Sequence, residues 1–226
     1  MTSALLPQNC VPLAMVNPLL GPDHGLANWF HAHLTQHFVT FLRALSEPGS
    51  AEWIGFVVFC GVLFFVWKKH WLSLATLVVA VPGGMLLNEL VKILVHRPRP
   101  FLTGQFVDWS GYSFASGHTI GATLLYGQLA LFLVPFIKGH RRRRLAICGA
   151  AVIVLLVGFS RIALGAHYLS DVLAAMLFGS GWLTICLFAT KPIRRQPVLP
   201  ATVTELEAAV LVPVEEREVP AEARLS

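Results

Sequence analysis

The chain has 226 residues, of which 55% are hydrophobic and only 13% charged. Soluble domains average about 25% charged residues, so this composition excludes an ordinary soluble domain and points to lipid as the solvent. The net charge of +5 does not indicate nucleic-acid binding, because the basic residues gather at the ends of apolar runs, where membrane proteins keep topological charge, and form no basic face with interleaved aromatics.

Residues 1–22 are apolar but broken by Pro7, Pro12, Pro18 and Pro22. They lack a positive amino-terminal region and a small-residue cleavage site, so no signal peptide is expected. From Leu26 to Leu45 the apolar residues recur mostly at three- and four-residue spacing, with His31, His33, Gln36 and Arg43 between them. That pattern predicts one amphipathic helix lying at an interface and ended by Pro48-Gly49. His24, His31, His33 and His37 read as its polar face, since their spacing matches no metal motif.

Five runs approach the roughly twenty apolar residues that a span needs: Ala51–Trp67, Trp71–Val95, Thr119–Ile137, Leu145–Leu164 and Leu169–Ala189. Pro82-Gly83-Gly84 predicts a kink in the second. The fold expected is all-α: a polytopic transmembrane bundle of five spans, with room for a sixth in residues 5–45, behind an interfacial amphipathic helix. The domain division expected is an amino-terminal segment 1–50, a membrane domain 51–191 and a disordered cytoplasmic tail 192–226, which is rich in Pro, Glu and Ala. Cys10, Cys60, Cys148 and Cys186 have no close pair, which argues against a disulfide framework or a zinc site and for small buried apolar residues.

Charge orients the bundle. Lys68, Lys69, Lys138, Arg141 to Arg144, Lys191, Arg194 and Arg195 put ten basic residues on one side. The positive-inside rule makes that side cytoplasmic. The connections holding residues 96–118 and 165–168 then face the extracytoplasmic side of the cell's inner membrane.

Three polar clusters lie at those two connections. In Lys92-Ile-Leu-Val-His96-Arg97-Pro98-Arg99-Pro100 the prolines stiffen the helix exit, and Lys92 and Arg99 suit a phosphate, one as a point charge and one bidentately. Snorkelling anchors would look the same. In Ser116-Gly117-His118, Gly117 admits close backbone approach and the helix start offers free N–H groups to an anion. An ordinary serine N-cap beside an interfacial histidine is the alternative. In Ser160-Arg161 through His167 to Asp171, the histidine and aspartate share a helical face, so the carboxylate could accept the Nδ1 proton and leave Nε2 as a nucleophile. A structural hydrogen bond is the plainer reading. Glu89, three residues before Lys92, reads as its ion-pair partner, and Asp108 as a loop residue.

Together the clusters resemble the type 2 phosphatidic acid phosphatase family, which shares its site with vanadium haloperoxidases. The family pattern is Lys-x6-Arg-Pro, Pro-Ser-Gly-His and Ser-Arg-x5-His-x3-Asp; here it is met by Lys92 to Arg99-Pro100, Ser116-Gly117-His118 and Ser160-Arg161 to His167 and Asp171, with Ala115 in place of the proline. The resemblance implies catalytic roles for His167 (attack on phosphorus), Asp171 (orienting it) and His118 (proton transfer). It also implies phosphate binding by Lys92, Arg99, Ser116, Gly117 and Arg161, with no metal and no cofactor. The expected activity is hydrolysis of a lipid phosphate or pyrophosphate: undecaprenyl pyrophosphate, phosphatidic acid or phosphatidylglycerol phosphate. Lipid A phosphatase and lipid phosphotransferase are the near alternatives; a non-catalytic lipid-binding protein and a haloperoxidase are more distant.

Overall fold

The computed structural model describes residues 18–101 and 110–190, and in them the backbone forms seven α-helices and no strand. They are α1 (Leu20–His33), α2 (Gln36–Ser46), α3 (Ala51–Trp67), α4 (Trp71–Val95), α5 (Gly117–Leu133), α6 (His140–Ala163) and α7 (Leu169–Thr190). Short 3-10 turns at Glu47–Gly49 and Val134–Phe136 complete them. Cys10, Asp108 and the tail lie outside the described residues.

Five segments are long and apolar enough to cross a membrane: Gln36–Trp67, Trp71–Val95, Gly117–Phe136, His140–Ala163 and Leu169–Thr190. The chain is therefore a multi-pass membrane protein. Its centre is α5, packed against α3, α4, α6 and α7. Small residues let these helices close up, as transmembrane packing requires. A Cβ on Gly121 would fall 2.4 Å from Ile54, and one on Gly158 would fall 2.8 Å from Val172.

Local signals explain the boundaries. Ser50 caps α3 by accepting from the Trp53 N–H at 3.1 Å. His96 ends α4 in the left-handed region (φ 51°), with its N–H on the Lys92 carbonyl; Pro98 then bars further helix. α4 runs unbroken through Pro82.

Three expectations need correction. The single helix expected over Leu26–Leu45 is two, α1 and α2, because Leu34 and Thr35 are extended and Thr35 caps the new start by accepting from the Phe38 N–H. Only α2 carries a clear amphipathic face, burying Val39, Leu42 and Ser46. Secondly, α6 starts at His140 rather than Leu145: Gly139 (φ 90°) makes the break, and the arginines, good helix formers, belong to the first turns. Thirdly, of the described cysteines Cys60 and Cys148 are exposed and only Cys186 is buried. In a thin bundle one side of each helix meets lipid, so a small apolar residue needs no buried position.

α1 and α2 pack against α6, and α1 also meets α7. They hold the end of the bundle where α4 stops, α5 starts, α6 stops and α7 starts. All three polar clusters are at that end.

Candidate active site

The α6–α7 turn is built to place His167. Gly165 (φ 69°) turns the chain, with its N–H on the Ile162 carbonyl, and the Ala166 and His167 N–H groups both donate to the Arg161 carbonyl. Asp171 sits three residues after Tyr168 at the start of α7 and accepts the Tyr168 N–H at 2.9 Å, which is half of a capping box. The helix start therefore holds its own carboxylate.

His167 is buried, 3% exposed, and its Nδ1 lies 2.7 Å from the Ser113 carbonyl. A carbonyl only accepts, so Nδ1 carries the hydrogen and the lone pair of a neutral ring is on Nε2. The Asp171 carboxylate is 3.9 Å from Nδ1, beyond hydrogen-bond reach. The direct His167–Asp171 hydrogen bond expected from the four-residue spacing is thus replaced by an indirect one. Asp171 accepts the Ser113 hydroxyl, and the Ser113 carbonyl accepts from His167. Asp171 also takes Arg97 Nη1 at 2.5 Å. Its oxygens are occupied, which is why none turns to the ring.

Burial pushes the His167 imidazole well below its usual range, and Arg161 and Arg99 push it further. The native state then binds fewer protons here than the unfolded chain, so stability contributed by His167 is present above about pH 6.5 and is lost as pH falls below it. The thermal midpoint should fall more steeply between pH 7 and 5 in the parent protein than in His167→Asn. Parallel curves for the two would refute this.

The other residues of the three motifs converge on the same place. Lys92, on the last turn of α4, reaches the start of α5: a Cβ on Gly117 would come within 3.3 Å of its Nζ. It also pairs with Glu89 at 2.6 Å, as the spacing predicts. Arg99 is held by the carbonyls of Ser110 (3.0 Å), Gly111 (3.2 Å) and Ala166 (3.0 Å). Arg161, 5% exposed, donates to Ser46 of α2 at 3.2 Å. Lys92, Arg99 and Arg161 all act electrostatically on both His118 and His167. His118 lies in the first turn of α5, backed by Gly49, where a Cβ would sit 2.8 Å from its carbonyl oxygen. Ser116 precedes the helix but does not cap it with its side chain; its N–H meets the Asp171 carbonyl and its hydroxyl accepts from Thr119. Among the described residues no three His, Cys, Asp or Glu side chains gather as a metal site.

A single chemistry fits this arrangement: a neutral imidazole lone pair beside three fixed cations, with a second imidazole at a helix start. The sequence model of the PAP2 superfamily matches residues 71–195. The chain belongs to the PAP2 superfamily. Phosphatidylglycerophosphatase B of Bacillus subtilis (strain 168) is 37% identical over 142 residues, covering 61% of this chain and 68% of that protein. Lipid A 1-phosphatase of Rhizobium johnstonii is 32% identical over 154 residues, covering 65% of this chain and 53% of that one, so the PAP2 chain spans about half its length. The crystal structure of the transmembrane PAP2 type phosphatidylglycerolphosphate phosphatase from Bacillus subtilis superposes with a TM-score of 0.69 at 26% identity, over 81% of this chain and 92% of that one.

Four residues around this PAP2 site were not singled out by sequence. Arg97 lost to Arg99 on motif spacing, yet it bonds Asp171, Ser170 and Asp23. Ser113 relays Asp171 to His167. Asn88, buried, donates to the Ala115 carbonyl at 3.4 Å, one helical turn from Lys92. Asp23 of α1 is 1% exposed; Ser170 and Arg97 outweigh its burial and hold its carboxyl below the usual range. It is the only acidic residue among the first 46, a signal that was available. Beside the site, a groove of about 380 Å³ between α3 and α4, walled by Ile54, Val58, Val81 and Met85, runs up to Glu89.

Proposed function

We propose that this PAP2 chain is a membrane lipid-phosphate phosphatase that works through a phosphohistidine on His167. The observation that carries the reading is the 2.7 Å contact of His167 Nδ1 with the Ser113 carbonyl, which leaves Nε2 as the free lone pair beside three cations.

Nε2 attacks phosphorus, the bond from phosphorus to the leaving oxygen breaks, and His118 gives that oxygen its proton. His118 then takes a proton from water, which displaces His167 and releases inorganic phosphate. Lys92, Arg99, Arg161, Ser116 and the Gly117 amide bind the phosphate oxygens and the charge that grows on them. Lys92 exchanges Glu89 for the phosphate in doing so. No step needs a metal ion.

The similarity to phosphatidylglycerophosphatase B favours a glycerophospholipid phosphate, with its tails along the α3–α4 groove. A second reading, lipid A as substrate, rests on the similarity to the lipid A 1-phosphatases. Undecaprenyl pyrophosphate and phosphatidic acid belong in the same panel. The basic-residue asymmetry places the site on the outer side of the inner membrane, in the cell envelope, with 51–191 as the phosphatase domain between an amino-terminal segment 1–50 and a cytoplasmic tail 192–226.

Purified protein in EDTA is expected to release phosphate from one or more of these lipids, and vanadate to inhibit it. Rapid acid-free quenching with a labelled substrate should trap label on His167. An acceptor lipid separates hydrolase from phosphotransferase by where the label goes. Turnover with no trapped phosphoenzyme under single-turnover conditions would refute the covalent route.

A further inference from the structure

We infer that Asp23 of α1 and Arg97 form a charged clamp that positions the His167 turn for catalysis, making the amino-terminal helix a working part of the active site. The inference rests on the phosphatase reading above.

The geometry is a closed set of contacts. Arg97 reaches Asp23 Oδ2 at 2.9 Å with Nη2, and Asp171 Oδ1 at 2.5 Å and Ser170 Oγ at 2.7 Å with Nη1. Asp23 takes the Ser170 N–H at 2.9 Å and its hydroxyl at 2.5 Å. The Arg97 guanidinium also lies 4.3 Å from the centre of the Tyr168 ring, and its carbonyl accepts the Ser113 N–H at 2.8 Å. Every residue from Tyr168 to Asp171 except Leu169 is touched by this pair, and so is Ser113. His167 is therefore gripped on both sides: by the chain that follows it, and by the carbonyl that takes its Nδ1 hydrogen.

Anchoring α1 would not call for such a device. Apolar contact already does it, with Phe30 edge-on to Phe159 of α6 at 5.8 Å. Burying a carboxylate carries a desolvation cost that a packed apolar residue avoids. What two fixed carboxylates around a planar guanidinium add is orientation, since the fork fixes angles as well as distances. Asp23 touches none of the three phosphate-facing cations in these contacts. Its effect should thus fall on the chemical step and spare substrate binding.

Asp23→Asn is expected to lower kcat by about 10- to 100-fold, the range seen when supporting hydrogen bonds around a site are removed, with KM changed less than threefold. Asp23→Glu should recover most of the loss. Arg97→Gln leaves two buried carboxylates facing each other, so the double variant Asp23→Asn/Arg97→Gln should be less impaired than the two single losses multiplied together. Amide hydrogen exchange at residues 164–170 should quicken in Asp23→Asn. Rates are taken per active site, counted from the phosphoenzyme burst, which removes any loss of folded protein. Ser170→Ala, which deletes only the hydroxyl contacts, replaces Asp23→Asn where folded yield is low and should shift kcat the same way.

A per-site kcat within twofold of the parent, or strictly multiplicative effects in the double variant, would overturn the clamp. An inactive parent protein would instead sink the phosphatase reading, while hydrogen exchange would still report on the clamp: unchanged protection at 164–170 refutes it.

Discussion

His167→Asn lowers lipid-phosphate turnover by about four orders of magnitude or more and abolishes the trapped phosphoenzyme, the scale expected when a covalent nucleophile is lost. Asparagine suits the test because its Nδ2 stands close to where Nδ1 stood. It can keep the donation to the Ser113 carbonyl while nothing remains at Nε2 to attack. The variant should therefore fold, insert and bind substrate as the parent does. Stopped turnover with folding intact is the pattern to look for, measured by phosphate release alongside size-exclusion behaviour in detergent. Retained activity would place the nucleophile elsewhere and end the phosphohistidine mechanism.

Asp171→Ala is expected to damage both activity and folding. The carboxylate is fully buried and accepts from Arg97, Ser113 and the Tyr168 N–H. Removing one partner of a buried pair typically costs about 3–5 kcal/mol; because Arg97 is 19% exposed and keeps Asp23, the lower end applies. The diagnostic variant is Asp171→Asn. Were Asp171 the direct acceptor of the ring proton, the amide would favour the wrong tautomer and cost about 10⁴ in kcat, as in serine-protease triads. With the Ser113 carbonyl as acceptor the tautomer survives, and a loss of about 10- to 100-fold is expected, that of a supporting contact. A loss near 10⁴ with folding intact would restore the direct hydrogen bond.

That contrast marks how far the sequence could be read. The spans were legible because lipid demands long apolar runs: Trp71–Val95 matches α4 residue for residue, and Leu169 begins α7 as expected. The motif residues were legible because their spacing is set by helices meeting at one end of a bundle, and the structure brings Lys92, Arg99, Ser116, Gly117, His118, Arg161, His167 and Asp171 to that end. The relay through Ser113 was not, because spacing reveals shared faces but not which of two nearby acceptors wins. Ser113 belongs to an irregular stretch with no periodicity to read. Asp23 was hidden for a different reason: it acts 144 residues away from His167 in the chain, and only the docking of α1 brings them together. The break between α1 and α2 was masked by an apolar rhythm that continues across Leu34-Thr35.

Because the site draws on stretches from residue 23 to residue 171, it has an order of assembly. Synthesis delivers Asp23 and Arg97 long before Ser170 and Asp171 exist. A nascent chain that has inserted α1 through α5 holds the phosphate-facing Lys92 and Arg99 but neither His167 nor the carboxylate that fixes its turn. The last helix to enter the membrane thus completes the catalytic end, and a chain arrested before residue 169 is an unfinished cradle with no means of attack. Biogenesis itself keeps the enzyme silent until the bundle is whole.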